Sequence, residues 1–572
     1  MDVVLITGEK PDEEPNPSQH PAFRARYPQL FAPLQTEGYR RVSEGRSCAL
    51  VAPTSSGKTL AVAAPLFEAR RPAVFVLPFR ALIADQSQEL PRIAKMFDIA
   101  SDRFAKLQGG TPDKELVEAL KADYLLMTPD KLVSLFIAGR KGNAAALNIL
   151  SKHHDYVFDE VHIYNALMRT SLLYFLRSVR FWQESHQRQS GFYFLSATFP
   201  PETWQMLQRE LGLTDADRIE GKSFTGNVQL TIKPRQTVTR APTGEIPIVE
   251  DLKALDMETN VVGIFNSAYR AYQISEALPR GLLFIGQDKL SELKRQRNFD
   301  EFMNFPDERA LIGSPAIEAG VDFEAHNLVI EESNQDSFVQ RFGRAARSGR
   351  DARVLAYSDT LHQMQKEGQL ASTYTREDFL ALLRDRIRRN EPSEIFTGLA
   401  AYPFYPFWKT DDFPLEPGHR QLCEQLKAKG VDSLLAFRGL VPYTHYESGE
   451  SIGYKTLFRK NLKIDPKTRR VKGYPDPDFY YKTPRRPPVL ARLKKTDIAK
   501  SEKAGDSLIL LAKVAFELVY GHFWTEWVLL EISKKPEWDV EDDNIAFEYD
   551  GEPYQPDGRP GNMLVRFYGF DV

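Results

Sequence analysis

Short, unbroken apolar runs alternate with longer amphipathic stretches from about Phe31 to Gly212. The runs are Cys48–Val51, Ala73–Leu77, Tyr124–Met127, Tyr156–Phe158 and Phe192–Leu195. Because they are apolar at consecutive positions, they predict strands covered on both faces. The helical patterns between them predict the crossovers of a parallel sheet. A stretch from about Leu213 to Glu250, with several Thr, Pro and Gly, reads as a connection. The pattern then resumes with Val261–Phe265, Leu282–Ile285, Ala310–Gly313, Asn327–Ile330 and Val354–Tyr357, predicting a second lobe of the same kind.

The two ends differ in texture. Residues up to about Arg24 are rich in Pro, Asp, Glu and Asn and predict a loose arm. Beyond Ser372 a helical segment, Arg376 to Arg389, leads into aromatic- and proline-rich sequence with strand-like pieces near Ile545–Tyr549 and Met563–Phe570. The stretch Leu508 to Ile532 is apolar but interrupted by Lys513, Glu517, His522 and Glu526. It predicts one or two amphipathic buried helices, not a membrane span. The fold class expected is α/β, with two tandem parallel-sheet lobes and a C-terminal α+β accessory domain. Its parts are a flexible N-terminal arm (1–30), lobe 1 (31–215), a connection (216–255), lobe 2 (256–372) and the accessory domain (373–572).

Composition changes this picture little. With 572 residues, 42% apolar and 27% charged, the chain has material for cores of ordinary size in three or four domains. A net charge of −3 argues neither for nor against a polyanionic partner. Two distant cysteines, Cys48 and Cys423, exclude a disulfide framework or a cysteine-based zinc site and fit a reducing compartment. The N-terminus lacks the basic segment and apolar core of a secretory leader, so the expected location is cytoplasmic, with no membrane partner.

Candidate chemistry begins at Ala52-Pro53-Thr54-Ser55-Ser56-Gly57-Lys58-Thr59, which follows an apolar run and opens a helix expected over Leu60 to Ala69. A loop so placed wraps its N–H groups around phosphate, and the helix N-terminus adds positive potential. Gly57 permits close backbone approach, Lys58 would reach the β- and γ-phosphates, and the Thr59 hydroxyl would ligate Mg²⁺. A plain Ser/Gly turn is the alternative. Asp159-Glu160-Val161-His162 ends a buried run. Adjacent carboxylates there are costly unless a metal or cation is near. Asp159 fits as the Mg²⁺ partner and Glu160 as the base that polarises an attacking water, with an exposed turn as the alternative. Ser196-Ala197-Thr198 ends the next run, where small hydroxyl residues could link the carboxylates to the neighbouring lobe. In Gln340-Arg341-Phe342-Gly343-Arg344-Ala345-Ala346-Arg347, Arg344 and Arg347 would share a helix face. Aimed across a cleft, they would stabilise γ-phosphate charge; a solvated basic face is the alternative.

In chain order, Gln35, Ala52–Thr59, Pro78-Phe79-Arg80-Ala81-Leu82, Thr128-Pro129-Asp130-Lys131-Leu132, Asp159–His162, Ser196–Thr198, Ser314–Asp322 and Gln340–Arg347 resemble the motif ladder of superfamily 2 helicases, over roughly residues 31 to 360. The resemblance implies RecA-like lobes, ATP and Mg²⁺ as cofactors, and Gln340, Arg344 and Arg347 as catalytic partners of Lys58, Asp159 and Glu160. It implies that Gln35 reads adenine, that Arg80, Thr128 and Ser314 contact the tracked strand, and that Gly320 and Asp322 couple nucleotide to strand. The departures are Ala52 for Gly and Ala346 for the second Gly of the last motif.

Within the superfamily, the Asp-Glu-Val-His box, the Glu-Ala-Gly-Val-Asp-Phe motif and the added C-terminal part look most like the CRISPR-associated helicase of type I systems, and Ser433-Leu-Leu-Ala-Phe-Arg-Gly-Leu440 looks similar to the I-D subtype. That likeness implies an antiviral DNA helicase that pulls the non-target single strand of an R-loop, 3′ to 5′. It would be a monomer outside an RNA-guided surveillance complex whose nuclease is a separate subunit. The usual histidine–aspartate nuclease domain has no room before Gln35, so no nuclease activity is expected. His154-Asp155 reads as a strand lead-in. A free-standing helicase of repair or RNA metabolism, and a nucleotide-gated clamp with little turnover, are the competing functions. Between Lys455 and Lys503 basic residues outnumber acidic ones by roughly three to one, with aromatics interleaved. Arg485, Arg486, Lys494 and Lys495 there read as single-strand contacts, as a solvated loop, or as a docking surface for a partner protein.

Overall fold

The computed structural model describes residues 3–53, 56–78, 80–107, 113–136, 142–164, 166–222, 224–235, 247–255, 260–266, 268–285, 292–314, 317, 325–333, 335–347, 349–387, 398–405 and 413–431, together with strands at 463–464, 471–472, 492–494, 498–504, 507–518, 522–533, 544–546 and 564–568. The chain divides into two compact units. One comprises residues 1–235, 318–390 and 406–414, and the other residues 236–317, 391–405 and 415–572.

The first unit contains a seven-stranded, wholly parallel sheet. Its order is Arg218–Glu220, Cys48–Val51, Gly191–Ser196, Asp155–Phe158, Ala73–Val76, Tyr124–Met127, Phe104–Leu107. Five of these strands are buried at every position, as expected when both faces are covered. The helices Leu34–Ser43, Lys58–Glu68 and Arg80–Lys95 share one core with these strands, built on Leu50, Val62, Leu66, Phe67, Phe75 and Leu126. Asn327–Glu331, Ala352–Tyr357 and Val228–Lys233 are likewise parallel neighbours in this unit. Val4–Thr7 adds antiparallel to Val228–Lys233 and pairs on its other edge, in parallel, with Thr373–Thr375.

The second unit contains the parallel strands Gly281–Phe284, Ala310–Gly313 and Val261–Ile264, with helices Ala268–Ala277 and Glu292–Asn304 packed on them. Its later part holds an antiparallel sheet ordered Ile498–Ala504, Ser507–Leu518, His522–Ser533, Leu564–Tyr568.

Four expectations are corrected. The stretch 508–532 forms two antiparallel strands, not helices, with Leu508 opposite Ile532 and Lys513 opposite Trp527. Charges four apart, Lys513 and Glu517, suit one face of a helix or of a strand equally. The aromatics Phe516, Phe523, Trp524 and Trp527, and Gly521 between the runs, favour the hairpin. The N-terminal stretch, expected as a loose arm, supplies the strand Val4–Thr7, whose Val4 and Ile6 are buried. It also supplies Asp12–Pro15, paired with Gln29–Ala32, and a helix, Pro21–Arg26, that buries Phe23. Its proline and acidic content masked a short apolar run. The expected connection carries Arg218–Glu220 and Val228–Lys233, the latter burying alternate residues Val228, Leu230 and Ile232. The arginine motif is not one helix: the helix Gln335–Phe342 ends before Arg344. Ala346 then takes a φ of 58°, a left-handed backbone conformation that no helix continues through.

Candidate active site

The phosphate-loop sequence turns from the strand Cys48–Val51 into the helix Lys58–Glu68. Gly57 has φ 77°, which favours glycine, and a Cβ there would displace the Gln35 side-chain amide. Gln35 Nε2 donates to Ser56 O at 2.8 Å, and Phe31 N–H donates to Gln35 Oε1 at 3.0 Å. Here the glutamine expected to read adenine braces the loop backbone. Lys58, 6% exposed, donates from Nζ to Ala52 O at 2.7 Å and Pro53 O at 3.0 Å. Burial holds its pKa below the ordinary lysine value; Glu160 and Asp159 oppose that effect and Arg347 adds to it. Thr59 is the second residue of the helix, and Thr54 and Ser55 lie outside the described residues.

Asp159 sits just past the strand Asp155–Phe158, its N–H donating to Val76 O at 2.9 Å. Its Oδ1 accepts from Glu160 N–H at 2.8 Å. Burial first, then the negative charge of Glu160, raises the Asp159 pKa from 3.8 to about 7 against the pull of Lys58. Glu160 is held at φ 50°, which costs a non-glycine residue about 1–2 kcal/mol. Its Oε2 lies 3.3 Å from His162 Nδ1 without an aligned hydrogen bond. His162 N–H donates to Ser196 Oγ at 3.1 Å, and Ala197 N–H lies 3.4 Å from His162 Nδ1. Ser196 Oγ donates to Thr198 O. The third motif is thus bonded directly to the carboxylate motif, a link the sequence left undirected.

The helix Gln335–Phe342 packs on the turn Val161–Ile163. Gln340, Arg344 and Arg347 are all at most 5% exposed, which is inconsistent with a solvated basic face. Arg347 Nε donates to Gly343 O at 3.4 Å, and its charge is felt at Lys58. Lys58, Asp159, Glu160 and Arg347 therefore form one electrostatic cluster. Ser56 Oγ, Glu160 Oε2 and Thr198 Oγ1 are buried without hydrogen-bond partners. Two carboxylates, cations and unmet donors and acceptors fit a polyphosphate with a divalent cation: Ser56 and Lys58 would meet phosphate, and Thr59 and Asp159 would hold the metal.

Arg80 opens the helix Arg80–Lys95. Thr128 caps Pro129–Leu135, its Oγ1 accepting from Lys131 N–H at 3.2 Å. Ser314, in the second unit, follows the strand Ala310–Gly313; its N–H donates to Phe284 O at 3.3 Å. Lys494 ends the strand Arg492–Lys494, paired with Asn544–Ala546. Gly320, Asp322, Arg485, Arg486, Lys495 and the segment 433–440 lie outside the described residues. Asp155 opens its strand and accepts from Arg71 Nε and from Tyr193 Oη, each at 2.9 Å, so it serves a structural network.

Residues 32–207 match the family model of DEAD/DEAH box helicases. They are a DEAD/DEAH box helicase domain. The enzyme class that this domain brings is ATP-dependent helicase, of superfamily 2. The helicase domain's relatives include DEAD-box ATP-dependent RNA helicase 57 of Arabidopsis thaliana, 26% identical over 326 residues, which are 55% of this chain and 57% of that protein. The CRISPR-associated nuclease/helicase Cas3 of Methanothermobacter thermautotrophicus is 25% identical over 347 residues, 56% of this chain and 40% of that protein. The chain thus spans about half the length of these two relatives. The DUF1998 helicase MrfA bound to DNA is similar in fold, with a TM-score of 0.61 over 94% of this chain and 82% of that chain, at 14% identity. At that identity the likeness speaks for the fold: RecA-like parallel-sheet lobes, the helicase domain forming the first. Among the described residues no helix is long and apolar enough to cross a membrane.

Proposed function

We propose that the chain is an ATP-driven translocase that pulls a single DNA strand, hydrolysing ATP at the cluster of Lys58, Asp159, Glu160 and Arg347. The observation that carries this is the burial of Lys58, Asp159 and Arg347 beside polar atoms with no partners of their own, among them Glu160 Oε2. A bound Mg²⁺ would offset the carboxylate charge and polarise the γ-phosphate. Lys58 would hold phosphate charge, and Asp159 with Thr59 would hold the metal. Glu160, strained and carrying an unpartnered oxygen, takes a proton from the attacking water. Arg347, with Arg344, neutralises charge that develops on the phosphate being transferred.

The finer reading is the helicase of a type I, I-D-like CRISPR system, drawn to the non-target strand by an RNA-guided complex and working with a separate nuclease. Its support is the motif resemblance and the archaeal Cas3 relative. A free-standing DNA helicase is favoured instead by the fold likeness to MrfA, which reaches across 94% of the chain.

ATP hydrolysis by the full chain should rise with single-stranded DNA and collapse in Glu160→Gln while nucleotide binding persists. Equal stimulation by RNA would remove the DNA assignment. Strong unwinding of bare duplexes, no better on a protein-bound R-loop, would select the free-standing reading.

A further inference from the structure

The turn that carries Arg347 is held from behind by segments remote in sequence. Gly226 N–H donates to Ala346 O at 2.8 Å, and Arg347 forms an antiparallel bridge with Thr225. Thr225 is itself bridged to Glu9. Glu9 N–H donates to Thr225 O and Oγ1, each at 3.1 Å, and Thr225 N–H returns a bond to Glu9 O at 2.9 Å. Gly8 N–H reaches Asn227 Oδ1 at 3.1 Å. Just before them, Val4–Thr7 is fixed between Val228–Lys233 and Thr373–Thr375.

Arg376 follows that last strand and closes the assembly. It is 1% exposed. Its Nη2 donates to Ala345 O at 3.2 Å, and its guanidinium carbon lies 5.4 Å from the Phe342 ring centre. Nε and Nη1 have no hydrogen-bond partner. Burial pushes its pKa down to about 10 and Glu9 opposes the shift, so it stays charged near neutrality. An under-bonded buried cation is an expensive way to stabilise a fold. Its one hydrogen bond falls on the carbonyl between Arg344 and Arg347.

We propose that residues 4–9 and Arg376 form a brace that positions the Arg347 turn for ATP hydrolysis. The proposal rests on the reading of Arg347 as an arginine finger. Glu9, Thr225 and Arg376 act through that turn as positioning residues and touch no nucleotide. The brace sets the rate of hydrolysis and leaves ATP affinity, which the phosphate loop governs, nearly unchanged.

The test uses the full chain with Gly8→Ala, Arg376→Met and Arg376→Lys, measuring kcat and KM for ATP with single-stranded DNA, and melting temperature. A Cβ at Gly8 would collide with Thr225 O and lie 2.8 Å from Gly226 C, backbone atoms that must shift. Gly8→Ala and Arg376→Met should lower kcat by about ten- to a hundredfold with KM within about twofold, the scale of a misplaced catalytic group. Arg376→Lys, still able to donate to Ala345 O, should lie between. In an Arg347→Ala background Arg376→Met should cost nothing further, because it acts through a group already removed. Should Gly8→Ala not fold, Thr225→Val, which deletes only the Oγ1 acceptor, should fold and lower kcat by about threefold, as the loss of one modest hydrogen bond does. Lower melting temperatures with kcat unchanged would overturn the brace. A rate loss in Arg347→Ala alone overturns the brace and spares the finger; no loss in Arg347→Ala overturns both.

Discussion

Asp159→Asn removes a buried charge of the candidate hydrolysis site. The carboxyl ionises near 3.8 in the unfolded chain but holds its proton to about 7 in the fold, through burial and then the charge of Glu160. Between those values the folded state binds more protons than the unfolded one. Stability from this group is therefore lost as pH rises through the window, and the loss is complete above pH 7. The rise from 3.8 to about 7 has a ceiling of about 4 kcal/mol, at about 1.4 kcal/mol per pH unit. Relaxation and water penetration around the charge bring the expected effect to about 2 kcal/mol. Asparagine keeps the oxygen that accepts from Glu160 N–H and carries no charge. In urea unfolding without nucleotide or divalent cation, Asp159→Asn should be about 2 kcal/mol more stable than wild type at pH 8, by the same reasoning. The difference should shrink steadily toward pH 4. The variant should also lose ATP hydrolysis, since the charge that weakens the fold is the one proposed to hold the metal. A variant less stable than wild type at pH 8, or a difference that does not change with pH, would refute the reasoning.

Gly57→Ala should weaken nucleotide binding by at least about tenfold, since the left-handed φ of 77° alone costs alanine about 1–2 kcal/mol and the added Cβ displaces Gln35. Near-normal affinity by fluorescent-nucleotide titration would show that the loop relaxes freely. Arg347→Ala should slow single-turnover hydrolysis by about 10³-fold with ATP affinity nearly intact; a change below about tenfold would contradict the finger role. Neutralising Arg485, Arg486, Lys494 and Lys495 together should weaken single-strand binding and flatten its salt dependence by about 0.7 per lost phosphate contact. An unchanged slope would point to a partner-docking surface instead.

The parallel strands were legible because a strand covered on both faces is apolar at every position, as in Cys48–Val51 and Tyr124–Met127. Phe104–Leu107 escaped because this edge strand places Lys106 in solvent in mid-run. Val4–Thr7 escaped because four residues beside prolines and carboxylates carry too little pattern to outweigh their neighbours. The chemistry was legible where it is local. Lys58, Asp159 and Glu160 each end or follow a buried strand, and their residue types are costly there without a ligand. Spacing misplaced the arginines on one helix, because the left-handed turn at Ala346 depends on Gly226, 120 positions away. The bond from Arg376 to Ala345 and that from His162 to Ser196 are tertiary facts of the same kind. No local signal announces them.

ATP turnover of the full chain and of Lys58→Ala, each with and without single-stranded DNA, shows whether the Lys58 loop drives a DNA-stimulated motor. Lys58 Nζ donates to the carbonyls of Ala52 and Pro53, and burial disfavours its charge, so the variant should fold with a normal circular dichroism spectrum. Hydrolysis should be DNA-stimulated in the wild type and no higher than background in the variant. A folded Lys58→Ala protein that hydrolyses ATP at the wild-type rate would contradict this.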